Sequence, residues 1–293
     1  MSAYRYIRSD AFTSGNSRGN PAASIYLEKD QDLTDVQMLD VAKQHKGFVS
    51  EVIFCKGLGS QCLDMAYFSS ECEVNFCGHG TIACMYPLIK NDPELLMRPE
   101  INIHTRRKGD LTVYNRICEE DAVYISAPEP VHLEVPVSKK EVADILQIDM
   151  SAISERYPLD LIDAGNRTLI VPISGLSNEV SIFPDEQSLK RFSLENGIDV
   201  ILIFCMDAEN KNCFAHTRVF AAKFGYLEDP ATGSGNAAFG YYMLKNRMWD
   251  GNKMILEQGG NDRIFNAVHL CVEKNRLLFG GSATTRIEGI YYI

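Results

Sequence analysis

Two glycine-rich turns carry residue types that could bind an anion. One reads Cys77-Gly-His-Gly-Thr-Ile-Ala83 and the other Thr232-Gly-Ser-Gly-Asn-Ala-Ala238, so both have G-x-G spacing before small or apolar helix-forming residues. A helix N-terminus offers unpaired N–H groups and a partial positive charge, and glycine lets an anion approach that backbone closely. Either turn alone is more simply a tight loop before a helix. Together they predict binding of a carboxylate or of an enolate oxygen.

The two turns lie at equivalent points of a repeat. Gly78 and Gly80 recur 155 residues later as Gly233 and Gly235. An equal offset between corresponding points of two halves indicates duplication. We therefore expect two similar domains of strands and helices that face each other, with a ligand cleft between them.

The pattern of elements agrees with a division into halves. Short alternating stretches of β-branched and aromatic residues predict many strands, and helical spacing is sparser. Helices are predicted over 81–89 and 236–244, each directly after a glycine turn. Ala127-Pro-Glu-Pro130 interrupts the strand pattern. The predicted domains are 1–127 and 128–293, with allowance for a last strand that crosses back to the first domain.

Composition and charge exclude several classes of function. With 29 basic and 39 acidic residues the net charge is −10, which favours small ligands over nucleic acid or a membrane surface. The longest uncharged apolar run, Val200 to Met206, has seven residues and cannot span a bilayer. Nothing after Met1 marks secretion, so we expect a cytoplasmic protein whose nine cysteines are mostly buried, reduced thiols.

Three familiar kinds of site are excluded by spacing. The cysteines contain no C-x-x-C pair of the zinc-ribbon or thioredoxin type. The second glycine turn has no lysine and lacks the spacing of a Walker-type nucleotide loop. No G-x-G-x-x-G follows the first predicted strand, so a dinucleotide site has no support.

Several segments occur in an order that resembles one family. They are Asp10-Ala-Phe-Thr13, Gly19-Asn-Pro-Ala-Ala23, Ser50-Glu51, Cys77-Gly-His-Gly-Thr81, Glu228-Asp-Pro-Ala-Thr-Gly-Ser234 and Gln258-Gly259 with Arg263. This order resembles the phenazine-biosynthesis PhzF-like family from residue 10 to about residue 263. The combination of the EDPATGS block with the C-G-H turn is specific.

The resemblance implies a fold and a way of working. The fold is α+β and diaminopimelate epimerase-like: two pseudo-symmetric domains, each a curved mixed sheet around a central helix, with the active site between them. The family also implies catalysis without metal or organic cofactor, a small carboxylate-bearing metabolite as substrate, and a homodimer.

The resemblance gives Glu51 and His79 catalytic roles. It makes Glu51 the general acid/base, whereas in isolation Glu51 is an ordinary strand-edge glutamate. A carboxylate can move a proton between carbons if partial burial raises its pKa. His79 is placed in the active site, where a helix start would favour neutral imidazole; the alternative is a histidine that caps its own helix.

The resemblance also assigns further residues of this chain to the binding and orientation of the substrate. Asp229, expected to be catalytic, would orient a substrate amine, hydroxyl or proton, and Ser234 would bind a carboxylate. Both also fit structural roles, as a turn initiator and a helix cap. Asn20 is assigned to the first-domain side of the cleft, although Gly-Asn-Pro alone is simply a turn. The remaining expected binding residues are Gly78, Gly80, Gly233 and Gly235.

Cys77 and Arg218 each allow either a functional or a structural interpretation. In related racemases paired cysteines act on a carbon acid, but the second-turn counterpart of Cys77 is Thr232, whose hydroxyl is too weakly acidic to be a base. Cys77 is therefore expected to be a packed small residue. Arg218 either anchors a carboxylate or pairs with Glu228, and Glu73 and Glu228 are expected to support the fold.

The expected function is a cofactor-independent isomerase. Glu51 would take a proton from one carbon of the substrate and return it to another, while helix N-termini stabilise the developing negative charge. His79 and Asp229 would position the substrate. The alternatives are a one-base epimerase or dehydratase of an amino or hydroxy acid, and a non-catalytic small-ligand-binding protein of the same fold.

Overall fold

The chain forms two compact units that both mix strands and helices. The computed structural model describes residues 2–59, 62–260 and 262–293. The first unit contains the chain up to Ser126 together with Gly280–Ile293, and the second contains Ala127–Phe279. Parallel and antiparallel strands occur in each unit beside separate helices, so the predicted α+β class is confirmed. Within the described ranges, no helix combines the length and apolarity that crossing a membrane requires.

The elements are numbered in chain order. The strands are β1 Ala3–Ala11, β2 Asn20–Leu27, β3 Glu51–Lys56, β4 Cys62–Ser69, β5 Glu73–Val74, β6 Glu100–Thr105, β7 Gly109–Arg116, β8 Ala122–Ser126, β9 Val131–Leu133, β10 Asp160–Asp163, β11 Arg167–Pro172, β12 Val200–Cys205, β13 Ala215–Phe220, β14 Glu228–Asp229, β15 Met254–Gln258, β16 Asn266–Glu273, β17 Arg276–Gly281 and β18 Ala283–Tyr292. The helices are α1 Asp35–Gln44, α2 Gly78–Asn91, α3 Pro93–Leu96, α4 Ile117–Glu120, α5 Lys139–Leu146, α6 Leu176–Ser181, α7 Glu186–Glu195 and α8 Gly233–Lys245.

The same strand order occurs in both units. In the first, β2 runs parallel to β3, β3 antiparallel to β4, and β4 pairs with the short β5 and, in parallel, with β6. In the second, β11, β12, β13, β14 and β15 repeat these relations in the same sequence. The short strands β5 and β14 each lead into a glycine turn and a long helix. The repeat seen in the sequence therefore corresponds to a repeated topology.

Each unit has one long helix that is buried almost all round. In α2 the ten consecutive residues 80–89 are buried, and in α8 nine residues are buried. A helix that is apolar on every side must be enclosed by the sheet and its loops. In the first unit α2 packs against β1, β2 and β3, while α1 packs against β3 and β4.

The long helices begin earlier than the sequence predicts. Their first residues are Gly78 and Gly233 rather than residues 81 and 236, with Cys77 and Thr232 as N-caps in extended conformation. Glycine has low intrinsic helix propensity, which places the expected start beyond both turns. The G-x-G segments are thus the first turn itself, and their N–H groups are those that lack intrahelical partners.

Candidate functional site in the first unit and the second glycine turn

Strand β3 directs Glu51 toward the start of α2. Val52 and Phe54 pack in the core cluster that contains the buried face of α1. Successive strand residues point to opposite faces, so Glu51 shares the other face with Ile53. Ile53 lies against Gly80, where a Cβ would come within 2.8 Å of its Cδ1 atom. The register of β3 therefore brings Glu51 to the first turn of α2.

Glu51, Cys77 and His79 converge at that turn. His79 Nε2 lies 3.2 Å from Glu51 Oε2, and the side chains are 14% and 20% exposed. The Cys77 thiol donates to the same Oε2 at 3.7 Å and accepts from the Gly80 N–H at 3.2 Å. Its Sγ is also 3.4 Å from His79 Nδ1. Cys77 is buried, as expected, but it contacts both expected catalytic residues and is more than a packed small residue.

The pKa values of this cluster differ from the expectations. Burial acts to raise the pKa of Glu51, but the His79 hydrogen bond and charge, with the Cys77 thiol, outweigh it and hold that pKa below its usual value. Burial acts to lower the pKa of His79, but Cys77 and Glu51 raise it well above its usual value. Burial and the Glu51 charge raise the pKa of Cys77 itself, against the lowering effect of His79 and the Gly80 N–H. The pKa of Glu51 is therefore not raised by burial, and the pKa of His79 shifts away from the neutral form that a helix start would favour, because direct contacts within the cluster outweigh burial.

The second glycine turn holds Asp229 through Thr232. Thr232 is the N-cap of α8, yet it makes no side-chain cap hydrogen bond, because its hydroxyl donates to Asp229 Oδ2 at 2.6 Å. Ser234 is the second residue of α8 rather than its cap, and its Oγ accepts from Asn166 Nδ2 at 2.9 Å. These contacts fix both side chains that the sequence singles out in this turn.

Gln258 organises this turn, a role that the sequence did not assign. It is fully buried; its Oε1 accepts from the Thr232 N–H at 2.9 Å and from Asn236 Nδ2 at 2.6 Å. Its Nε2 donates to the Asp229 carbonyl at 2.9 Å and to Thr232 Oγ1 at 3.2 Å. The Gln-Gly segment of the resemblance was the one signal that could have found it.

We expect Gln258→Leu to destabilise the second unit by about 2–3 kcal/mol. The change leaves two buried donors, the Thr232 N–H and the Asn236 amide, without their acceptor, and each such loss costs about 1–3 kcal/mol. Urea unfolding followed by fluorescence of Trp249, the chain's one tryptophan, reports on this unit. An unchanged midpoint would contradict the organising role.

Packing requires glycine at position 233, whether or not a ligand binds there. A Cβ at this position would come within 2.3 Å of the Phe279 ring, whereas at Gly235 the nearest atom would be 3.2 Å away on Thr232. We expect Gly233→Ala to destabilise the second unit by about 1–3 kcal/mol through overpacking, and Gly235→Ala to cost less. Trp249 fluorescence in urea checks both, and equal midpoints for the two variants would contradict the clash.

The acidic residues upstream of the turns make structural ion pairs. The Glu228 carboxylate accepts hydrogen bonds from Nε and Nη2 of Arg218, at 2.9 and 2.8 Å. Of the two alternatives given for Arg218, the ion pair with Glu228 is therefore the one that its contacts match. Glu73 contacts the guanidinium groups of Arg106 at 3.4 Å and Arg107 at 2.8 Å. These pairs anchor β14 and β5, the short strands that lead into the turns.

The remaining expected binding residues lie at defined points of the two units. Asn20 is buried and begins β2, opposite Ala11 of β1. Gly78 and Gly80 belong to the first turn of α2 with His79. Gly233, Ser234 and Gly235 form the first turn of α8. The structure thus groups Glu51 with His79 in one unit and Asp229 with Thr232 in the other, and the substrate-binding roles stay predictions.

Curated proteins from distant organisms are similar to this chain over most of its length. The uncharacterized isomerase YfhB of Bacillus subtilis is 28% identical over 263 residues, which cover 88% of this chain and 87% of that protein. Antisense-enhancing sequence 1 of Schizosaccharomyces pombe is 26% identical over 306 residues, and the match covers 100% of both chains.

Solved structures confirm the fold. The crystal structure of the Bacillus anthracis phenazine biosynthesis protein of the PhzF family has a TM-score of 0.85 at 25% identity, with 100% of both chains covered. A hydroxyproline epimerase from Agrobacterium vitis, at 11% identity, has a TM-score of 0.58 over 99% of this chain and 91% of that one, and shows a shared fold alone. The family model for phenazine biosynthesis-like proteins, PhzC-PhzF, matches residues 9–289. The chain therefore belongs to the PhzC-PhzF, phenazine biosynthesis-like family.

Proposed function

We propose that this protein is an isomerase that moves a proton on a small, carboxylate-bearing substrate, with Glu51 as the general acid and base. The observation that carries the proposal is the partly exposed Glu51 carboxylate, 3.2 Å from His79 at the start of a long helix. Pairing with His79 keeps Glu51 ionised and so free to accept a proton, although the lowered pKa makes it a weaker base than an unpaired carboxylate. Similar proteins that bear the name isomerase, such as the one in Bacillus subtilis, support the reaction class.

The proton step needs only groups that the chain supplies. Glu51 takes a proton from a carbon next to the unsaturated or carboxylate-bearing part of the substrate, and the electrons of that C–H bond delocalise toward the carboxylate. The N–H groups at the start of α2 offer hydrogen bonds to the resulting negative charge. Glu51 then returns the proton to a different carbon, so the substrate's composition is unchanged.

His79 has a distinct part in this scheme. A protonated His79 imidazole stabilises the negative charge of the Glu51 carboxylate before the reaction. Once Glu51 has taken up a proton, the positive charge of His79 favours the loss of that proton. A proton taken up by Glu51 is therefore readily returned to carbon. Asp229 and Ser234 retain their expected roles, orienting a polar substrate group and binding a carboxylate, as predictions that Asp229→Asn and Ser234→Ala can test.

Heavy-water exchange tests the proposal with a pool of compounds in place of a single chosen substrate. The protein is incubated in deuterium oxide with pooled small carboxylic and amino acids, and deuterium uptake and product mass are followed by NMR and mass spectrometry. We expect one class of compound to gain deuterium at a new position, with a shifted double bond and no other mass change. Glu51→Gln should slow the exchange about 10²- to 10⁴-fold, whereas Glu71→Gln, at an exposed glutamate paired with Lys46, should leave it intact.

Other outcomes distinguish the alternatives. Deuterium at an unmoved carbon with inverted configuration would indicate an epimerase, and loss of water would indicate a dehydratase. Tight binding of a compound that is never turned over, and that is unaffected by Glu51→Gln, would indicate a binding protein. Any of these results would replace the proposed isomerisation.

A further inference from the structure

Asn166 presents a side-chain amide beside the start of helix α8. Its Nδ2 donates to Ser234 Oγ at 2.9 Å, and both residues are half-buried. Asn166 belongs to the turn between β10 and β11, outside every motif that the sequence singles out. It is therefore a polar group at the second glycine turn to which the proposed mechanism gives no role.

Strand register makes Asn166 the counterpart of Asn20 in the repeat. Equivalent residues, traced outward from the glycine turns through the paired strands, are Val74 and Asp229, Tyr67 and Val219, Ile53 and Leu202, and Ser24 and Ile170. Asn20 lies four residues before Ser24, and Asn166 lies four residues before Ile170. The expected binding residue of the first unit that lies outside its glycine turn thus has an equivalent amide in the second unit.

The turn that carries Asn166 is fixed by its own hydrogen bonds. The Gly165 N–H donates to Asp163 Oδ1 at 3.0 Å, and Thr168 Oγ1 donates to the Asn166 carbonyl at 3.1 Å. Gly165 has a φ of +106°, a conformation that residues with a side chain rarely adopt. The backbone therefore holds Asn166 in place before any ligand binds, which lowers the cost of ordering it on binding.

The contact between Asn166 and Ser234 decides which of their atoms remain for a ligand. The Nδ2 hydrogen occupies one acceptor position of Ser234 Oγ, so the Ser234 hydroxyl hydrogen can point at a ligand oxygen. Within residues 2–59, 62–260 and 262–293, nothing else hydrogen-bonds to either side chain. The pair therefore offers a donor on Ser234 next to an acceptor, Oδ1, on Asn166.

We propose that Asn166 determines substrate specificity: it holds the Ser234 hydroxyl as a donor to the substrate's carboxylate, and its Oδ1 accepts a hydrogen bond from a hydroxyl or amine on the adjacent carbon. An amide oxygen only accepts hydrogen bonds, so a compound without such a donor leaves it unpaired, at a cost in binding. This role rests on the proposed function, in which Ser234 binds the substrate's carboxylate.

Two small probes, glycolate and propionate, test this recognition without any turnover. Both carry a carboxylate and have nearly the same size, but glycolate has a hydroxyl where propionate has a methyl group. The nitrogen-15-labelled chain is titrated with each probe, and the signals of the Asn166 side-chain amide and of the Ser234 backbone N–H are followed by NMR. We expect glycolate to shift both signals and to bind about 2- to 10-fold more tightly than propionate, the usual contribution of one hydrogen bond.

Replacements of Asn166 assign this preference to its side chain. In Asn166→Ala we expect the two probes to bind equally, whereas the matched Asn178→Ala, at an exposed asparagine that bonds to the Ser174 carbonyl, should keep the preference. A variant that is merely loosened would bind both probes more weakly without making them equal. Asn166→Asp should weaken both at least about 10-fold, because its carboxylate takes the Ser234 hydroxyl hydrogen and repels the anion.

Three results would overturn the proposal. They are a preference for glycolate that survives Asn166→Ala, an Asn166→Asp variant that binds as tightly as wild type, and Asn166 signals that neither probe shifts at high millimolar concentration. Once a substrate is found, Asn166→Ala should raise its KM about 2- to 10-fold with little change in kcat; an unchanged KM would contradict the role and leave the isomerase in place. Probe binding with the expected preference, but without proton exchange in any compound, would support the role of Asn166 and count against the isomerase.

Discussion

Replacing Glu51 by glutamine is expected to lower the rate of substrate proton exchange about 10²- to 10⁴-fold, the usual contribution of general acid/base catalysis. The amide keeps the size of the side chain and an oxygen that can accept from His79, but it cannot take a proton from carbon. We therefore expect kcat to fall much more than KM rises. Exchange of solvent deuterium into the substrate found in heavy water measures the effect.

Glu51→Asp is the matched variant for this experiment. It retains the carboxylate but withdraws it by one methylene from the position 3.2 Å from His79 Nε2. Activity between that of the wild type and Glu51→Gln is expected, because the base is present but misplaced. Exchange within a factor of about two of wild type in Glu51→Gln, with folding unchanged, would remove this residue from the proton step.

The repeat could be predicted from the sequence because duplication preserves spacing. The offset between Gly78 and Gly233 reappears as two helices that begin at these residues, preceded by short strands at Glu73–Val74 and Glu228–Asp229. Strand-like patterns likewise predicted many strands with sparser helices, whereas the α+β class was implied by the family resemblance. A feature that recurs at a fixed interval can be recognised in the sequence itself, without knowledge of which distant residues are in contact.

The pKa shifts of Glu51 and His79 could not be predicted from the sequence, because they depend on contacts between residues that are far apart in the chain. Glu51 and His79 are neighbours only because the register of β3 turns Glu51 toward the start of α2. The sequence indicates each residue's pKa only through its local setting, namely burial for Glu51 and the helix end for His79. Pairing with His79 at 3.2 Å holds the pKa of Glu51 below its usual value, and contacts with Cys77 and Glu51 raise the pKa of His79, so both shifts run opposite to what the local setting indicates.

Gln258 shows a second limit of sequence reasoning. Its amide joins Asp229, Thr232 and Asn236, although Gln258 follows these residues in the chain by 29, 26 and 22 positions. A single buried glutamine has no periodic pattern, and its four hydrogen bonds exist only after β15 has paired with β13. The Gln-Gly motif marked the position but did not say what the side chain does.

The second large effect is expected at Arg218, where Arg218→Met should destabilise the second unit by about 3–5 kcal/mol, the usual cost of removing one partner from a buried ion pair. Arg218 is 1% exposed. Its Nη1 donates to the carbonyls of Glu179 and Ile182 at 2.8 and 2.7 Å, beside the bidentate contact with Glu228. Methionine fills similar space but leaves these acceptors unpaired. The midpoint of urea unfolding, followed by Trp249 fluorescence, measures the loss.

Arg263→Met is the matched control in the same unit. Arg263 and Glu209 are 3.4 Å apart with side chains 56% and 53% exposed, and such surface pairs contribute about 0–1 kcal/mol. Equal shifts for Arg218→Met and Arg263→Met would contradict a stabilising role for the buried pair. Arg218→Lys should lie between them, because lysine keeps the charge but lacks the planar fork that holds both oxygens of Glu228.

The position of Glu228 connects this stability effect to the candidate site. Glu228 pairs with Phe220 and the next residue, Asp229, with Val219, so the guanidinium holds β14 at the strand that carries Arg218. A variant that loosens β14 also loosens the Asp229 carboxylate that accepts from Thr232. We therefore expect Arg218→Lys to reduce turnover more than its loss of stability explains, at temperatures where the variant remains fully folded. Turnover equal to wild type under those conditions would confine Arg218 to stability alone.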